Sequence, residues 1–198
     1  MQPDFILASS SDIRRMLLTT LGLTPRVIPP RIDEESILAA LQAEGAKPRD
    51  IADTLAEMKA RKIADKHPEA VVLGCDQVLA LGKTLLMKPQ SPDHAAAQLQ
   101  QMQGQTHDLF SAMVLYEKAK PVWRHVGTAR LTMHAMTQAD ITSYVAKNWY
   151  SIQHAVGCYK IEEAGHALFS AVEGDVTTIQ GLPLPPLMGY LRLRGFIP

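Results

Sequence analysis

The sequence predicts a mixed α/β fold, and three observations lead to that prediction. Short apolar segments such as Phe5 to Ala8 are typical of buried strands, whereas residues 50–66 repeat apolar residues at the spacing of a helix. The two kinds of segment alternate irregularly, which favours a mixed, partly antiparallel sheet with flanking helices over a purely parallel sheet. The 198 residues, 46% of them hydrophobic, can bury one sizeable core, so we expect a single domain over residues 1–198.

A strand, a polar turn and a helix open the chain. The apolar Phe5 to Ala8 segment predicts a short buried strand, and three consecutive serines follow it. Ser11 or Asp12 can cap a helix that ends at Gly22, because short polar side chains accept hydrogen bonds from free helix amides. Pro25 to Ile28 predicts a second strand.

The next segment combines an extended loop with two helices. Prolines 29 and 30 favour extended backbone, and we expect the acidic residues 33–35 to lie outside regular structure. Residues 36–44 predict a short helix and residues 50–66 a longer one, which Pro68 ends.

An apolar stretch with a polar insertion follows. Residues 70–74 and 78–81 predict strand, and we expect Cys75-Asp76-Gln77 to interrupt it. A turn at residues 82–83 then reverses the chain.

The second half supplies the remaining elements. Ser91 and Pro92 begin a predicted helix that ends before Gly104, and Thr137 with Asp140 forms the pattern of a capping box. The other predicted elements are an antiparallel hairpin of residues 107–117 and 122–134, strands at 158–162 and 167–172, and a final helix at 185–194.

Charge and cysteine content exclude several classes of protein. Twenty basic residues balance twenty acidic residues, so the net charge favours neither a nucleic-acid partner nor binding to an anionic membrane. Cys75 and Cys158 form no CxxC pair, which argues against a disulfide framework or a zinc site. With no signal-peptide pattern and no apolar run of membrane-spanning length, a cytoplasmic protein is expected.

The serine turn is a candidate phosphate site. Backbone amides at a helix start, together with the positive end of the helix dipole, attract anions. Ser9, Ser10 and Ser11 would add hydroxyl donors, and the guanidinium of Arg14 can bind two phosphate oxygens at once. The same residues would also suit a plain helix cap with a solvated arginine, because serine is common at helix starts.

Asp76 stands out because a carboxylate in an apolar strand loses hydration worth several kcal/mol in effective terms. Two readings are open: a structural hydrogen bond in a turn from Gly74 to Gln77, or a general base or metal ligand at a strand end. Lys59, in an alanine-rich helix, has the context of a solvated lysine. Lys88 precedes a proline and is expected on extended backbone, from which it can reach a phosphate.

Eight segments together give a specific pattern. They are LASSSDIRRMLL (7–18), IDE (32–34), MKARKIA (58–64), VVLGCDQVLAL (71–81), KP (88–89), GQTHDLF (104–110), VGCYKIEEAG (156–165) and GLPL (181–184). In content and order they resemble the Maf family, the nucleoside triphosphate pyrophosphatases also called septum-formation inhibitors. The resemblance covers nearly the whole chain. It implies a fold similar to that of the inosine-triphosphate pyrophosphatases, with an elongated mixed sheet and two lobes around a nucleotide cleft.

The resemblance also implies roles for six residues. The family's phosphate-site serine and arginine match Ser9 and Arg14, and its two lysines match Lys59 and Lys88. Its acidic loop residue matches Glu34, and its proposed catalytic aspartate matches Asp76. The implied reaction is attack of water on the α-phosphorus of a nucleoside triphosphate, with Asp76 as base and with Mg²⁺ or Mn²⁺ held by Glu34 or Asp76. Hard oxygen ligands suit those ions.

The base of the nucleotide is the open question. Family positions for base selection match Ile13, Gln77 and Glu162. Gln77 and Glu162 resemble the branch that hydrolyses 7-methyl-GTP, and a carboxylate can accept hydrogen bonds from the guanine edge. Ile13 matches neither the tryptophan of that branch nor the arginine of the dTTP and UTP branch, so a dTTP or UTP pyrophosphatase is an alternative.

Three further expectations come from the resemblance and the pattern. The family's older name suggests an alternative class, a non-catalytic nucleotide-binding regulator of cell division. The apolar hairpin near residues 107–134 is a candidate homodimer interface. The family usually has proline where this chain has Asp12, whose carboxylate would repel a nearby phosphate.

Overall fold

A computed structural model describes residues 4–198 and contains one mixed β-sheet flanked by helices. The strands are β1 (Phe5–Ala8), β2 (Arg26–Val27), β3 (Val71–Leu81), β4 (Thr84–Leu86), β5 (Thr106–Glu117), β6 (Lys120–Met133) and β7 (Phe169–Glu173). The helices are α1 (Asp12–Thr20), α2 (Glu34–Ala43), α3 (Pro48–Ala64), α4 (Pro92–Met102), α5 (Gln138–Ile152), α6 (Val176–Ile179) and α7 (Leu184–Leu193).

The sheet is open and mixed, as the sequence predicts. Its strand order is β2-β1-β3-β5-β6-β7, and β4, which is not part of this order, pairs with β3. β1 runs parallel to both β2 and β3, whereas the β3–β4 and β6–β7 pairs are antiparallel. All four residues of β1 are buried, which explains why this strand is apolar throughout.

The chain divides into two compact units. Among the described residues, unit 1 comprises residues 4–77, 111–127 and 181–198, and unit 2 comprises residues 78–110 and 128–180. Each has its own apolar core. Unit 1 buries residues of β1, α1, β3 and α7, and unit 2 buries residues of α4, α5 and β6.

Helix starts follow the capping signals in the sequence. Ser11 caps α1 by accepting from the Arg14 amide at 3.4 Å, and Ser91 caps α4. At the start of α5, the Thr137 hydroxyl accepts from the Asp140 amide at 3.2 Å and the Asp140 carboxylate accepts from the Thr137 amide at 2.9 Å, which confirms the predicted capping box. The hairpin is confirmed as well, with Lys118 and Ala119 in the left-handed conformation of its two-residue turn.

Three sequence predictions of local structure are wrong. Glu34 and Glu35 lie in the first turn of α2, not outside regular structure, because Asp33 caps the helix through the Ser36 amide at 3.1 Å. Residues 75–77 do not interrupt the strand, since β3 is continuous from Val71 to Leu81.

The third wrong prediction is the strand at residues 158–162. Gly157 and Cys158 both have positive φ, at 76° and 60°, which breaks an extended chain and leaves a short 3₁₀ turn over residues 156–158. Among the helices of residues 4–198, none is both long and apolar enough to span a lipid bilayer.

Candidate active site

A buried lysine in unit 1 contacts two carboxylates, one buried and one partly exposed. The Lys59 ammonium donates to Asp76 Oδ1 at 2.6 Å and forms an ion pair with Glu34 Oε1 at 3.0 Å. The Lys59 and Asp76 side chains are only 9% and 8% exposed, whereas Glu34 is 41% exposed. Such pairing offsets the loss of hydration that each buried charge suffers. The cluster therefore explains how Asp76 can lie inside a continuous strand.

A close approach of β3 to α3 brings the two groups together. A Cβ on Gly74 would lie 2.3 Å from the Ala56 carbonyl oxygen and 2.7 Å from Ala60 Cβ, so only glycine permits this spacing. Gly74 lies two residues before Asp76, and Ala60 follows Lys59 directly. The contact thus fixes the distance between the strand and helix that carry the ion pair. Lys59 is buried rather than solvated, against the expectation from its alanine-rich surroundings.

Burial and charge act in opposite directions on Asp76. Desolvation raises the pKa of this carboxyl above its ordinary value, while the Lys59 and Arg14 cations oppose the rise and Glu34 adds to it. A carboxyl with a raised pKa is a stronger base than a solvated one once it is ionised. Burial also raises the pKa of the adjacent Cys75 thiol to about 11, so that thiol is neutral near pH 7.

Arg14 is held by three acceptors around the serine turn. Its Nε donates to the Gly181 carbonyl at 2.9 Å, and its Nη1 donates to Ser9 Oγ and to the Cys75 carbonyl, both at 3.2 Å. Ser9 is buried and also accepts from the Ser11 amide. Arg14 is therefore fixed next to the β3 residue that precedes Asp76.

The structure gathers five predicted residues in one region of unit 1. Hydrogen bonds or ion pairs connect Ser9 to Arg14 and connect Lys59 to Glu34 and Asp76, while the Cys75 carbonyl joins Arg14 to the strand of Asp76.

The remaining predicted residues differ in their surroundings. Ile13 is half-buried against the core of unit 1, and Gln77 donates to Ser111 Oγ at 2.9 Å in the same unit. Lys88 and Glu162 belong to unit 2, where both are exposed. Lys88 follows β4, and Glu162 lies on a turn after residue 160.

Gln98 supports the segment that carries Lys88 and was missed in the sequence. Its buried amide donates to the Met87 carbonyl at 2.9 Å and accepts from Cys158 Sγ at 3.2 Å, both within unit 2. The sequence signal that could have identified Gln98 is its place on the apolar side of an alanine-rich helix, since a buried amide needs hydrogen-bond partners.

The carboxylates fit a hard divalent cation in their chemistry. Glu34 and Asp76 offer oxygen ligands and both bond the same ammonium nitrogen, so they converge on one region. Within residues 4–198, no group of three or more histidine, cysteine, aspartate or glutamate side chains is arranged to hold a metal ion. A cation at Glu34 and Asp76 would thus depend on oxygens supplied by a phosphate or by water.

Comparisons with known proteins agree with the segments quoted above. The family described as Maf-like protein matches residues 4–194. A nucleoside triphosphate pyrophosphatase of Ruegeria pomeroyi is 57% identical over 192 residues, covering 97% of this chain and 96% of that protein. One from Roseobacter denitrificans is 54% identical over the full length of both chains. A 7-methyl-GTP pyrophosphatase of Mesorhizobium japonicum is 42% identical over 197 residues, covering 100% of this chain and 99% of that protein.

Proposed function

The chain belongs to the Maf family, and from that premise we propose that it is a nucleoside triphosphate pyrophosphatase built on Asp76, Lys59 and Arg14. The observation that carries the proposal is the buried Lys59–Asp76 pair at 2.6 Å in the same region as Arg14. A buried carboxylate held ready to take a proton, among cations that suit phosphate, matches the needs of anhydride hydrolysis. A non-catalytic nucleotide-binding regulator would have no need for such a carboxylate.

The reaction consumes one water molecule. The water oxygen bonds to the α-phosphorus, the bond from that phosphorus to the oxygen bridging the β-phosphorus breaks, and the products are a nucleoside monophosphate and pyrophosphate. Asp76 orients the water and accepts its proton. Burial raises its pKa above the ordinary value, which makes the ionised carboxylate a stronger base.

The cations hold the triphosphate and balance its charge. Negative charge grows on the departing pyrophosphate, so fixed positive groups lower the barrier more than mobile ones do. Arg14, Ser9 and the amides at the start of α1 bind phosphate oxygens, and Lys59 and Lys88 supply further positive charge. Mg²⁺ or Mn²⁺ would bind Glu34 and Asp76, and when bound it would neutralise phosphate charge.

A 7-methylated guanine is the base we propose. Relatives named 7-methyl-GTP pyrophosphatase match the whole chain at 42% identity, although relatives with higher identity carry the general name. Glu162 would accept from the guanine edge, and Gln77 and Ile13 match the other family positions for base selection. A dTTP or UTP pyrophosphatase is the alternative, since Ile13 matches neither branch.

The test is a panel of canonical and modified nucleoside triphosphates assayed for pyrophosphate release with Mg²⁺ and with Mn²⁺. We expect 7-methyl-GTP to give the highest kcat/KM. Tight binding without turnover across the panel would contradict the proposed enzyme and favour the regulator. Hydrolysis in ¹⁸O-labelled water should place the label in the monophosphate, whereas label in pyrophosphate would contradict attack at the α-phosphorus.

We further propose that residues 1–198 act as one enzyme domain in the cytoplasm, because a single family model matches residues 4–194. The β5–β6 hairpin stays a candidate homodimer interface. Light scattering across a concentration series tests that prediction.

A further inference from the structure

The GLPL segment near the end of the chain has a direct contact with the phosphate-site arginine. The Gly181 carbonyl accepts a 2.9 Å hydrogen bond from Arg14 Nε, although 167 positions separate the two residues. Both belong to unit 1, and Gly181 is buried.

The hydrogen bonds of Arg14 leave one end of the guanidinium for a ligand. Nε and Nη1 are bound to Gly181, Ser9 and Cys75. Within the described chain, Nη2 makes no hydrogen bond of its own. Of the five N–H donors of the guanidinium, the two on Nη2 remain, so Nη2 is the group through which Arg14 would bind an incoming phosphate.

A side chain at Gly181 would press on that same nitrogen. A Cβ built there would lie 3.0 Å from Arg14 Nη2, 3.2 Å from Nε and 3.5 Å from Cζ. Gly181 also has a φ of +89°, a conformation that other residues rarely adopt. The position thus requires glycine both for its backbone and for the space that Arg14 occupies.

We propose that Gly181 is a positioning residue for Arg14. Its carbonyl aims the guanidinium, and its lack of a Cβ keeps Nη2 open for a phosphate of the substrate. The inference rests on the proposed role of Arg14 in triphosphate binding and extends that role to a residue that itself contacts no substrate.

The first test compares Gly181→Ala with Gly195→Ala. Gly195 lies in the same unit with a φ of +69°, and a Cβ there would meet nothing within 4 Å, so it carries the backbone penalty without the contact. Binding of inorganic tripolyphosphate is measured by calorimetry, since this probe reports phosphate contacts without a base. We expect Gly181→Ala to weaken binding about ten- to a hundredfold, the range for losing a charged hydrogen bond, and Gly195→Ala to change it less than about twofold.

A double-mutant cycle with Arg14→Ala tests whether Gly181→Ala weakens binding through Arg14. If Gly181 acts through Arg14, then Gly181→Ala weakens tripolyphosphate binding in the native background and has no further effect beside Arg14→Ala. Equal effects in both backgrounds, or an effect no larger than that of Gly195→Ala, would overturn the inference and leave the proposed function intact. Unchanged binding by Arg14→Ala alone would overturn both the role of Arg14 and this inference.

A second variant covers the case in which Gly181→Ala does not fold. Replacing Leu182 by its α-hydroxy acid turns the Gly181 carbonyl into an ester, a weaker acceptor, and adds no Cβ. We expect this ester to weaken tripolyphosphate binding with Arg14 present and to have no effect beside Arg14→Ala. Equal binding by the ester and the native protein would overturn the aiming role of the carbonyl.

Discussion

Removing the lysine ammonium should shift the pH dependence of the reaction toward alkaline pH. In Lys59→Met, Asp76 stays buried but loses the cation 2.6 Å away that favours its ionised form. At an effective dielectric constant of 20, a charge pair at this distance attracts by about 6 kcal/mol before the cost of its desolvation is subtracted. Opposite charges this close usually lower a carboxyl pKa by about 1–3 units. We therefore expect the Asp76 pKa to rise further in this variant, because desolvation then acts without the opposing charge of Lys59.

The assay is pyrophosphate release over a pH series, because the acid limb of kcat/KM reports the pKa of the free enzyme's base. The maximum rate also falls when a phosphate-binding charge is lost, so the midpoint of the limb is the informative quantity. Lys62→Met is the matched control, since Lys62 is an exposed lysine of the same helix. A limb that stays in place in Lys59→Met, or that moves to lower pH, would refute the assignment of Asp76 as the base.

Three further perturbations test other parts of the structure. Gly74→Ala should lower the free energy of unfolding in urea by about 1–3 kcal/mol, because its Cβ would lie 2.3 Å from a backbone oxygen. The control Gly189→Ala, which has open space around it in α7, should raise that free energy by up to about 1 kcal/mol. Equal effects of the two substitutions would contradict the close approach of β3 to α3. Burial lowers the pKa of His107 to about 4 from 6.5, so protonation favours the unfolded chain and stability is lost as pH falls from 6.5 toward 4. The native protein should therefore lose about 2 kcal/mol of unfolding free energy through His107 between pH 7.5 and 5, and His107→Gln should not show that loss. The same pH dependence of stability in both proteins would contradict this role of His107. Asp12→Pro should tighten nucleotide binding up to about fivefold at low salt and less at high salt, since it removes an exposed carboxylate, paired with Arg15, from the start of α1. Unchanged or weaker binding would show that Asp12 does not repel the phosphates.

Local signals in the sequence were sufficient for most helices and strands. Ser11, Ser91 and Thr137 each begin a helix where the pattern predicts one, because capping depends on residues only three positions apart. The prediction of secondary structure was wrong where a polar cluster fitted both a loop and a helix start. The acidic residues after Pro30 were assigned to a loop, although Asp33 and Ser36 carry the spacing of a helix cap.

The site itself depends on contacts between distant residues. Asp76 was predicted to need a partner, but the choice of Lys59 follows from the packing of Gly74 against Ala56 and Ala60, which no local pattern reports. The contact between Arg14 and Gly181 could not be predicted from local sequence either, because 167 positions separate the two residues.

The resemblance to a family supplied roles that physical reasoning from the residues alone did not. Lys59 illustrates this, because its alanine-rich helix indicated a solvated side chain, whereas the matched family position indicated a functional one. The structure buries it between two carboxylates.

The rate of pyrophosphate release by Asp76→Asn is the measurement that tests the central claim most directly. It should be made with the best substrate of the nucleotide panel, alongside the nucleotide Kd of the same variant. We expect kcat to fall by roughly 10²–10⁴-fold while the variant still binds the nucleotide, since the asparagine keeps the shape of the side chain but cannot take a proton. An unchanged kcat would contradict the account, because the buried carboxylate would then have no part in the reaction.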